Sequence, residues 1–402
     1  LNTNEGHSIN TRKHFFEGQF TMTASTAVPE CTAVPTQSHA EAKGRGNYSW
    51  SFSKKSFTLK LDKKVDLCGM GKSKKWALIS SAYDKSLLRT NAAFNLGSKL
   101  TNMPWTPQAK PVDLYINGSY RGSYLLVTRI TIDKDRVDID ELSNGSDDPT
   151  GSNQTEPNIS GGYLMEWDFR KGGDHNVTAG HRGWVAIDEP EDEDDGTGIT
   201  KKQVSYINSY LDATDKALYG SSWKNDTKGW KKYIDEKSAV DYFIATEIMK
   251  PVDGNMWASV YMYKPRNGKI FFGPMWDYDL AAGSADRAGG TVKTSGWYVK
   301  NHTATTAKQS SSTWFQRLND DPDFEKAVKA RWNQVYPQLK TNDAFLGSQQ
   351  AVIKKSANAN FDKWSVHAHI SPAQVVKGSW PKEVSYLRSW LKARLSWLNK
   401  QY

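Results

Sequence analysis

The chain reads DGNMWASVYMYKPRNGKIFFGPMWDYD from Asp253 to Asp279. Within this stretch Val260–Tyr263 and Lys269–Phe272 are short runs of bulky residues, and the Arg266-Asn267-Gly268 sequence between them is typical of a β-hairpin turn. One aspartate precedes the first predicted strand, and two follow the second. The hairpin is therefore predicted to bring acidic residues from its two ends into one region.

The acids after the hairpin have the spacing of a cation site. Asp277 and Asp279 lie two residues apart, and in an extended segment both side chains point to the same side. Carboxylates are ligands of hard cations, and Mg²⁺ favours one or two of them together with substrate phosphates. The pattern predicts a Mg²⁺ or Mn²⁺ site at Asp277 and Asp279; the alternative is a pair of surface acids at a strand end.

Asp253 lies in a loop directly after an apolar helical pattern that ends near Pro251. Loops that follow regular elements often carry catalytic side chains. We predict that Asp253 is a general base. On spacing alone, a capping or turn aspartate is the alternative.

A basic turn near the start of the chain is suited to phosphate. The turn reads GRGNYSW from Gly44 to Trp50, and Lys55 and Lys60 follow it. A turn rich in Gly, Asn and Ser exposes backbone N–H groups, and nearby Arg and Lys side chains add positive charge. Such turns beside lysines are also common in ordinary hairpins. The predicted nucleotide-binding residues in this region are Arg45, Asn47, Ser49, Lys55 and Lys60.

Together these three features match the needs of phosphoryl transfer. That reaction uses a Lys/Arg grip on phosphates, an aspartate base and an aspartate that holds a metal ion. Asp253 would accept the proton of a hydroxyl group, while the metal and the basic side chains neutralise the phosphates. The combination favours a phosphotransferase.

The pattern of the whole chain predicts an α+β fold. The N-terminal part alternates as strands do, with its clearest hairpin turn at Asn117-Gly118, and contains one predicted helix over Asp84–Leu100 with Asp84 as N-cap. We predict a β-rich N-terminal lobe, residues 1–170, and a mostly helical C-terminal lobe, residues 171–402, that carries the acidic hairpin. The helices predicted in the second lobe cover residues 201–218, 238–249, 313–318, 323–339, 344–357 and 383–398.

Composition excludes several classes of protein. The 402 residues carry a net charge of +9, but no Lys/Arg run exceeds three and no nucleic-acid-binding motif is present. No stretch is apolar enough to span a bilayer. The acidic run at residues 188–195 is predicted to be a solvated loop. Cys31 and Cys68 predict one disulfide, with two buried thiols as the alternative.

These motifs resemble those of the CotH (spore coat protein H) kinase-like family over nearly the whole chain. The resemblance implies an atypical, shortened protein-kinase fold and Mg²⁺-ATP-dependent phosphorylation of protein Ser or Thr. Asp253 and Asp277 match the family's two essential acids, Lys55 or Lys60 would contact the α/β phosphates, and Glu166 matches a strand that begins Gly-Gly-Tyr. The resemblance also implies a bacterial protein that is secreted or bound to the cell or spore surface. The matching blocks are residues 44–60, 76–79, 84–91, 115–126, 161–168, 253–263 and 273–283.

The chain departs from the family pattern at two positions. The family usually carries Glu in the second strand of the Asn-Gly hairpin, where Thr128 stands here, and often has Asn before the base, near Pro251. Glu166 would then take the place of the missing acid as partner of the ATP lysine.

Two other functions remain open. The 16 Trp residues and the secreted character favour a non-catalytic, carbohydrate-associated surface module whose partner is a polysaccharide. A glycoside hydrolase using Glu166 and Asp168 is the third hypothesis. Residues two apart on a strand are about 7 Å apart at the backbone, a distance compatible with such a carboxyl pair, but no other sugar-site motif supports it.

Overall fold

The computed structural model describes residues 1–31, 38–144, 147–169, 175–178, 183–191, 198–254, 256–287, 291–300 and 313–402. The solvated loop predicted at residues 188–195 lies partly outside the described residues. The prediction is wrong at Asp188 and Glu189, which end a strand, and Glu189 is buried. Those residues form twelve strands in two antiparallel sheets and seven α-helices, so the protein is mixed α/β. The division into lobes at residue 170 stays a prediction.

The described chain groups into two compact units, each built from separate segments. The first unit comprises Leu1–Phe94, Pro107–Ile130 and Thr341–Trp390, and the second Asn95–Thr106, Thr131–Lys340 and Leu391–Tyr402.

A seven-stranded sheet forms the first unit, with strand order β1-β2-β3-β4-β5-β7-β6. Its core contains the fully buried side chains of Leu59, Trp76 and Leu126. The strands are β1 (Asn2–Thr3), β2 (Phe16–Phe20), β3 (Ser38–Arg45), β4 (Ser56–Asp66), β5 (Lys72–Ile79), β6 (Ala109–Ile116) and β7 (Ser119–Thr128).

The Asn-Gly hairpin prediction is confirmed by β6 and β7. Asn117 and Gly118 have φ values of 51° and 73°, so both central turn residues are left-handed, as a type I′ turn requires. Such a turn matches the right-handed twist of the strands that it joins. Local turn chemistry therefore decides this hairpin.

The helix predicted over Asp84–Leu100 is shorter than expected. Helix α1 covers Arg89–Gly97, and Asp84 is not its N-cap. The Asp84 carboxylate instead accepts hydrogen bonds from the Arg89 N–H (2.8 Å) and the Arg89 guanidinium (2.5 Å), and both residues are buried. The buried ion pair keeps the segment before Arg89 out of the helix, where Leu87 has a φ of 62°.

The predicted disulfide is present. Cys31 and Cys68 are bonded to each other across 37 residues, and each is 3% exposed. Both belong to the core of the first sheet. The bond therefore fixes the β2–β5 part of the chain.

The double variant C31S/C68S is expected to lose about 3–4 kcal/mol of unfolding free energy, because the crosslink restricts a loop of this length in the unfolded chain. Denaturant unfolding of the oxidised wild type and the variant measures the difference. Wild type treated with reductant should match the variant. A variant as stable as the oxidised protein would contradict the prediction.

A five-stranded sheet forms part of the second unit, with strand order β12-β11-β8-β10-β9. The predicted acidic hairpin is confirmed as β11 and β12, and β11 pairs in turn with β8, with Tyr261 opposite Glu166. Strand β11 of the hairpin is therefore hydrogen-bonded to a neighbouring strand on each side. The strands are β8 (Tyr163–Trp167), β9 (His175–Thr178), β10 (Trp184–Glu189), β11 (Val260–Lys264) and β12 (Phe271–Phe272).

The remaining helices confirm the helical pattern predicted for the C-terminal part. Helix α3 is buried on every side from Ser238 to Met249, and the Asp235 side chain caps its start by accepting from the Ser238 N–H at 2.7 Å. In the part of the chain that the structure describes, no helix has the length and apolarity to cross a membrane. The helices are α2 (Lys201–Tyr219), α3 (Glu236–Met249), α4 (Trp314–Asn319), α5 (Pro322–Leu339), α6 (Asn342–Lys363) and α7 (Trp380–Asn399).

Candidate active site

Asp253 lies in a tight turn at the end of α3. The helix stops because Lys250 takes a left-handed conformation (φ 44°), and the Gly254 N–H then donates to the Pro251 carbonyl at 3.3 Å. This bond closes a four-residue turn with Asp253 at its third position. The Asp253 side chain is half-buried. The turn therefore presents the aspartate at the end of a rigid, buried helix.

The Asp253 turn is hydrogen-bonded to the segment that follows Asp279. The Val252 N–H donates to the Leu280 carbonyl at 2.9 Å, and the Ala282 N–H donates to the Met249 carbonyl at 2.6 Å. These two bonds run in opposite directions between the segments. They join the loops before and after the β11–β12 hairpin.

Asp277 is exposed and has a left-handed backbone, with φ 63°. The prediction that residues 277–279 are extended is therefore wrong at this residue. The chain leaves the sheet after Phe272, so no strand ladder holds the segment extended. The Ser259 hydroxyl lies 3.3 Å from Asp277 Oδ2 and donates to it. This hydrogen bond links the Asp277 carboxylate to the residue that precedes β11.

Left-handed residues other than glycine are concentrated in these loops. The described residues other than glycine include eleven with positive φ, of which six lie between residues 250 and 282: five in these loops, and Asn267 in the turn of the β11–β12 hairpin. Each such residue costs on the order of 1–3 kcal/mol unless its surroundings hold it, and such residues cluster at functional sites. The five are Lys250, Met256, Ser259, Asp277 and Ala282.

The donor set of these loops suits a hard cation. Asp253, Asp277 and Asp279 offer only carboxylate oxygens, which are the ligands that Mg²⁺ and Mn²⁺ prefer. Within the described residues, no three His, Cys, Asp or Glu side chains are grouped as a complete metal site. One or two carboxylates are sufficient for Mg²⁺ when phosphate oxygens supply further ligands. The residues present therefore fit a phosphate-bound Mg²⁺ better than a metal held by protein alone.

A buried carboxylate on α3 binds a later segment of the chain. Glu247 is 1% exposed and accepts from the backbone N–H groups of Tyr298 (2.9 and 3.1 Å), Val299 (2.7 Å) and Lys300 (3.1 Å). The guanidinium of Arg394 on α7 donates to the same carboxylate at 2.8 Å. One side chain thus ties residues 298–300 to the helix that leads to Asp253.

Two cations hold the preceding part of that segment. Lys250 donates to the carbonyls of Lys293 and Ser295, each at 2.9 Å. Arg394 donates to the carbonyls of Thr294 (3.2 Å) and Gly296 (2.7 Å). Burial lowers the pKa of Lys250 to about 7 and that of Arg394 to about 10. Residues 293–300 are therefore fastened along their length next to the Asp253 turn.

Glu166 and Asp168 differ in their surroundings. Glu166 on β8 is half-buried, whereas Asp168, just after the strand, is 3% exposed. Phe169 follows and stacks on Trp257 of the loop between Asp253 and β11, with ring centroids 4.1 Å apart. Aromatic residues thus border the acidic loops.

In the first unit, the basic turn is built around Trp50. A Cβ atom at Gly44 would lie 2.1 Å from the Trp50 ring, so the ring requires glycine there. The Asn47 side chain accepts from the Arg12 guanidinium at 3.0 Å. A Cβ at Gly46 (φ 94°) would lie 2.0 Å from the Ser49 hydroxyl. The glycines of the turn therefore serve close packing.

The lysines predicted to bind phosphate have local partners. Lys55 donates to the Trp50 carbonyl, and its ammonium lies 5.0 Å from the centroid of the Trp50 ring. Lys60 forms an ion pair with Glu41 at 3.1 Å across β3 and β4. Arg45 ends β3 and is half-buried. The binding of a nucleotide by these residues stays a prediction.

Lys54 is a buried lysine whose burial the sequence pattern does not predict. It is 4% exposed, and its ammonium donates to the Ser123 carbonyl (2.6 Å) and to the Asn360 side chain (2.7 Å). Burial lowers the pKa of Lys54 to about 7, and the charge of nearby Lys85 adds to this effect. A lysine next to Lys55 has the pattern of a solvated turn, so only the fold reveals its burial.

The two departures from the family pattern have local explanations. Thr128 is buried, and its hydroxyl oxygen accepts from the Gln108 N–H at 2.8 Å. The Pro251 carbonyl accepts from the Tyr298 hydroxyl at 2.5 Å. Thr128 and Pro251 each therefore accept a hydrogen bond that holds a neighbouring segment of the chain.

The comparison with protein families gives one match. A family model described as CotH kinase protein matches residues 42–398, which include the basic turn and both acidic loops. No curated protein matches the chain. The match extends over most of the sequence, well beyond the hairpin and its acids.

Proposed function

The chain belongs to the CotH kinase protein family, and we propose that it is an Mg²⁺-ATP-dependent kinase that phosphorylates Ser or Thr residues of a protein. The observation that supports this most directly is the pair of backbone hydrogen bonds that joins the Asp253 turn to the segment after Asp279. Phosphoryl transfer requires a base and a metal-holding acid in one rigid arrangement. The atypical kinase-like lobe organisation is part of the same proposal.

Each acid has a proposed role. Asp253 would accept the proton of the acceptor hydroxyl, because its half-buried carboxylate is held by a fixed turn. Asp277 and Asp279 would hold Mg²⁺, which when bound neutralises charge on the transferred phosphate. The Ser259 hydroxyl orients the Asp277 carboxylate.

Nucleotide binding by the basic residues is proposed on their chemistry. Arginine and lysine pair with phosphate oxygens, and the Asn and Ser side chains add neutral hydrogen-bond donors. Glu166 is the proposed partner of the ATP lysine. Loss of ATP affinity in single-residue variants tests each of Arg45, Asn47, Ser49, Lys55, Lys60 and Glu166.

A secreted or surface location belongs to the proposal. A disulfide persists in oxidising surroundings, and Cys31 is bonded to Cys68. A protein acceptor at the cell or spore surface is the proposed partner.

Mg²⁺-ATP is expected to stabilise the wild type by about 2.7 kcal/mol at 100 times its dissociation constant. A thermal-shift series with ATP, ADP, Mg²⁺ and Mn²⁺ measures this effect, with transfer to protein acceptors assayed alongside. D277N should lose the metal-dependent part of the stabilisation, because it removes a carboxylate from the donor set. D226N is the control, since the Asp226 side chain is 78% exposed. A wild type that no nucleotide and metal combination stabilises would contradict the proposal.

A carbohydrate-associated module without catalysis is the second candidate. The observation that favours it is Phe169, which is 40% exposed and stacked on Trp257. Exposed aromatic rings provide apolar faces against which sugar rings can pack. Binding on a glycan array that F169A abolishes, together with absent ATP binding, would favour this function over the kinase.

A further inference from the structure

The hydroxyl of Tyr298 contacts the turn that carries Asp253. It donates to the Pro251 carbonyl at 2.5 Å and lies 3.3 Å from the Val252 carbonyl. These two carbonyls belong to the peptide groups immediately before Asp253. The Tyr298 side chain is 1% exposed, so water does not compete for these contacts.

Tyr298 is itself fixed relative to α3. Its backbone N–H donates to both carboxylate oxygens of Glu247, and the Val299 N–H donates to one of them. Lys250 holds the same segment through the carbonyls of Lys293 and Ser295. The tyrosine therefore forms a link from the last turns of the helix back to the loop that follows it.

The phenol is a permanent donor. Burial raises the pKa of Tyr298, and the nearby carboxylates of Asp253 and Glu247 raise it further. The hydroxyl thus keeps its proton across the range in which the protein would work.

We infer that Tyr298 is a positioning residue for Asp253: its hydroxyl holds the Pro251 and Val252 carbonyls and so fixes the direction in which the Asp253 carboxylate points. The inference rests on the proposed function, in which that carboxylate accepts a proton. The bond that closes the turn, from the Gly254 N–H to the Pro251 carbonyl, is long at 3.3 Å. The second donor to the same carbonyl therefore contributes much of the turn's rigidity.

The variant Y298F removes the hydroxyl and keeps the ring. A displacement of a catalytic group by about 1 Å can cost about 10²-fold in rate, so kcat is expected to fall about 10- to 100-fold. The dissociation constant of Mg²⁺-ATP should stay within about 2-fold of the wild type. Amides of residues 250–259 should exchange hydrogen faster, because the turn has lost a bond.

The matched control is Y163F. Tyr163 is fully buried in the same unit, and its hydroxyl also donates to a backbone carbonyl, that of Ile159, at 2.8 Å. Its loss should cost similar stability but leave kcat and the exchange of residues 250–259 unchanged.

Three results would overturn the inference. They are an unchanged kcat in Y298F, an equal loss of kcat in Y298F and Y163F, and unchanged amide exchange at residues 250–259. A wild type without any transfer would instead contradict the proposed kinase function. In that case the amide-exchange measurement still decides whether the Tyr298 hydroxyl holds the turn. The proposed effect of Tyr298 on kcat is then rejected together with the kinase function.

Discussion

Replacing Asp253 by asparagine is expected to lower phosphate transfer by about 10²- to 10⁴-fold, the usual contribution of a positioned general base. Asparagine has nearly the same shape as aspartate but cannot accept the proton of the acceptor hydroxyl. The turn should persist, because its bonds use main-chain atoms: the Gly254 N–H donates to the Pro251 carbonyl, and the Ala258 N–H donates to the Asp253 carbonyl. The variant therefore isolates proton transfer from folding.

The measurement compares D253N with D277N in two assays. Transfer to protein acceptors, including the chain itself, is followed by mass spectrometry, and Mg²⁺-ATP affinity is measured by calorimetry. D253N should bind Mg²⁺-ATP as the wild type does, whereas D277N should lose both affinity and transfer. D226N, which changes an exposed acid, should match the wild type in both assays. Full activity in D253N would remove Asp253 as the base, and loss of nucleotide affinity would show a metal-binding role instead.

Sequence reasoning succeeded where structure is decided within a few residues. Both hairpins were predicted because a turn such as Asn117-Gly118 requires left-handed residues, and few residue types tolerate that conformation. The acids on either side of the β11–β12 hairpin were found for the same reason. The loops that carry these acids are joined by strand pairing and by the backbone hydrogen bonds of Val252 and Ala282.

Prediction from the sequence failed where contacts outside the local pattern alter the backbone conformation. Asp84 has the residue type of an N-cap, but a buried ion pair with Arg89 delays the start of α1. Asp277 follows a strand, but its left-handed backbone is held by the loop bond to Ser259 and not by a sheet. The spacing of hydrophobic residues along the sequence predicts neither contact.

The residues that support the candidate site were missed because their partners are far apart in sequence. Glu247 and Arg394 are separated by 147 residues, and Lys54 and Asn360 by 306. One signal was present for Glu247: a carboxylate on a helix that is buried on every side must find a partner. The identity of that partner could not be read from the helix.

The Glu247–Arg394 pair carries the largest expected effect on stability. In R394M the unfolding free energy should fall by about 3–5 kcal/mol, because a buried carboxylate is left without its cation. The two side chains are 1% and 0% exposed, so water cannot replace the guanidinium. Denaturant unfolding measures the loss, and amide exchange of residues 293–300 should rise with it.

The control lies on the same helix. Arg388 pairs with Asp343 through two bonds of 2.7 and 3.0 Å, but these side chains are 34% and 46% exposed. R388M should therefore cost less than about 1 kcal/mol, since solvent screens an exposed pair. Equal losses in R388M and R394M would mean that burial does not decide the cost.

The double variant E247Q/R394M separates the charge from the other contacts of Arg394. Glutamine still offers a carbonyl oxygen to the N–H groups of residues 298–300, so removing both charges should restore part of the stability lost in R394M. Restoration should be incomplete, because Arg394 also donates to the carbonyls of Thr294 and Gly296, which the double variant leaves without that donor. A double variant less stable than R394M by the full cost of E247Q would show that the two charges are uncoupled. The carboxylate would then hold the N–H groups of residues 298–300 independently of Arg394.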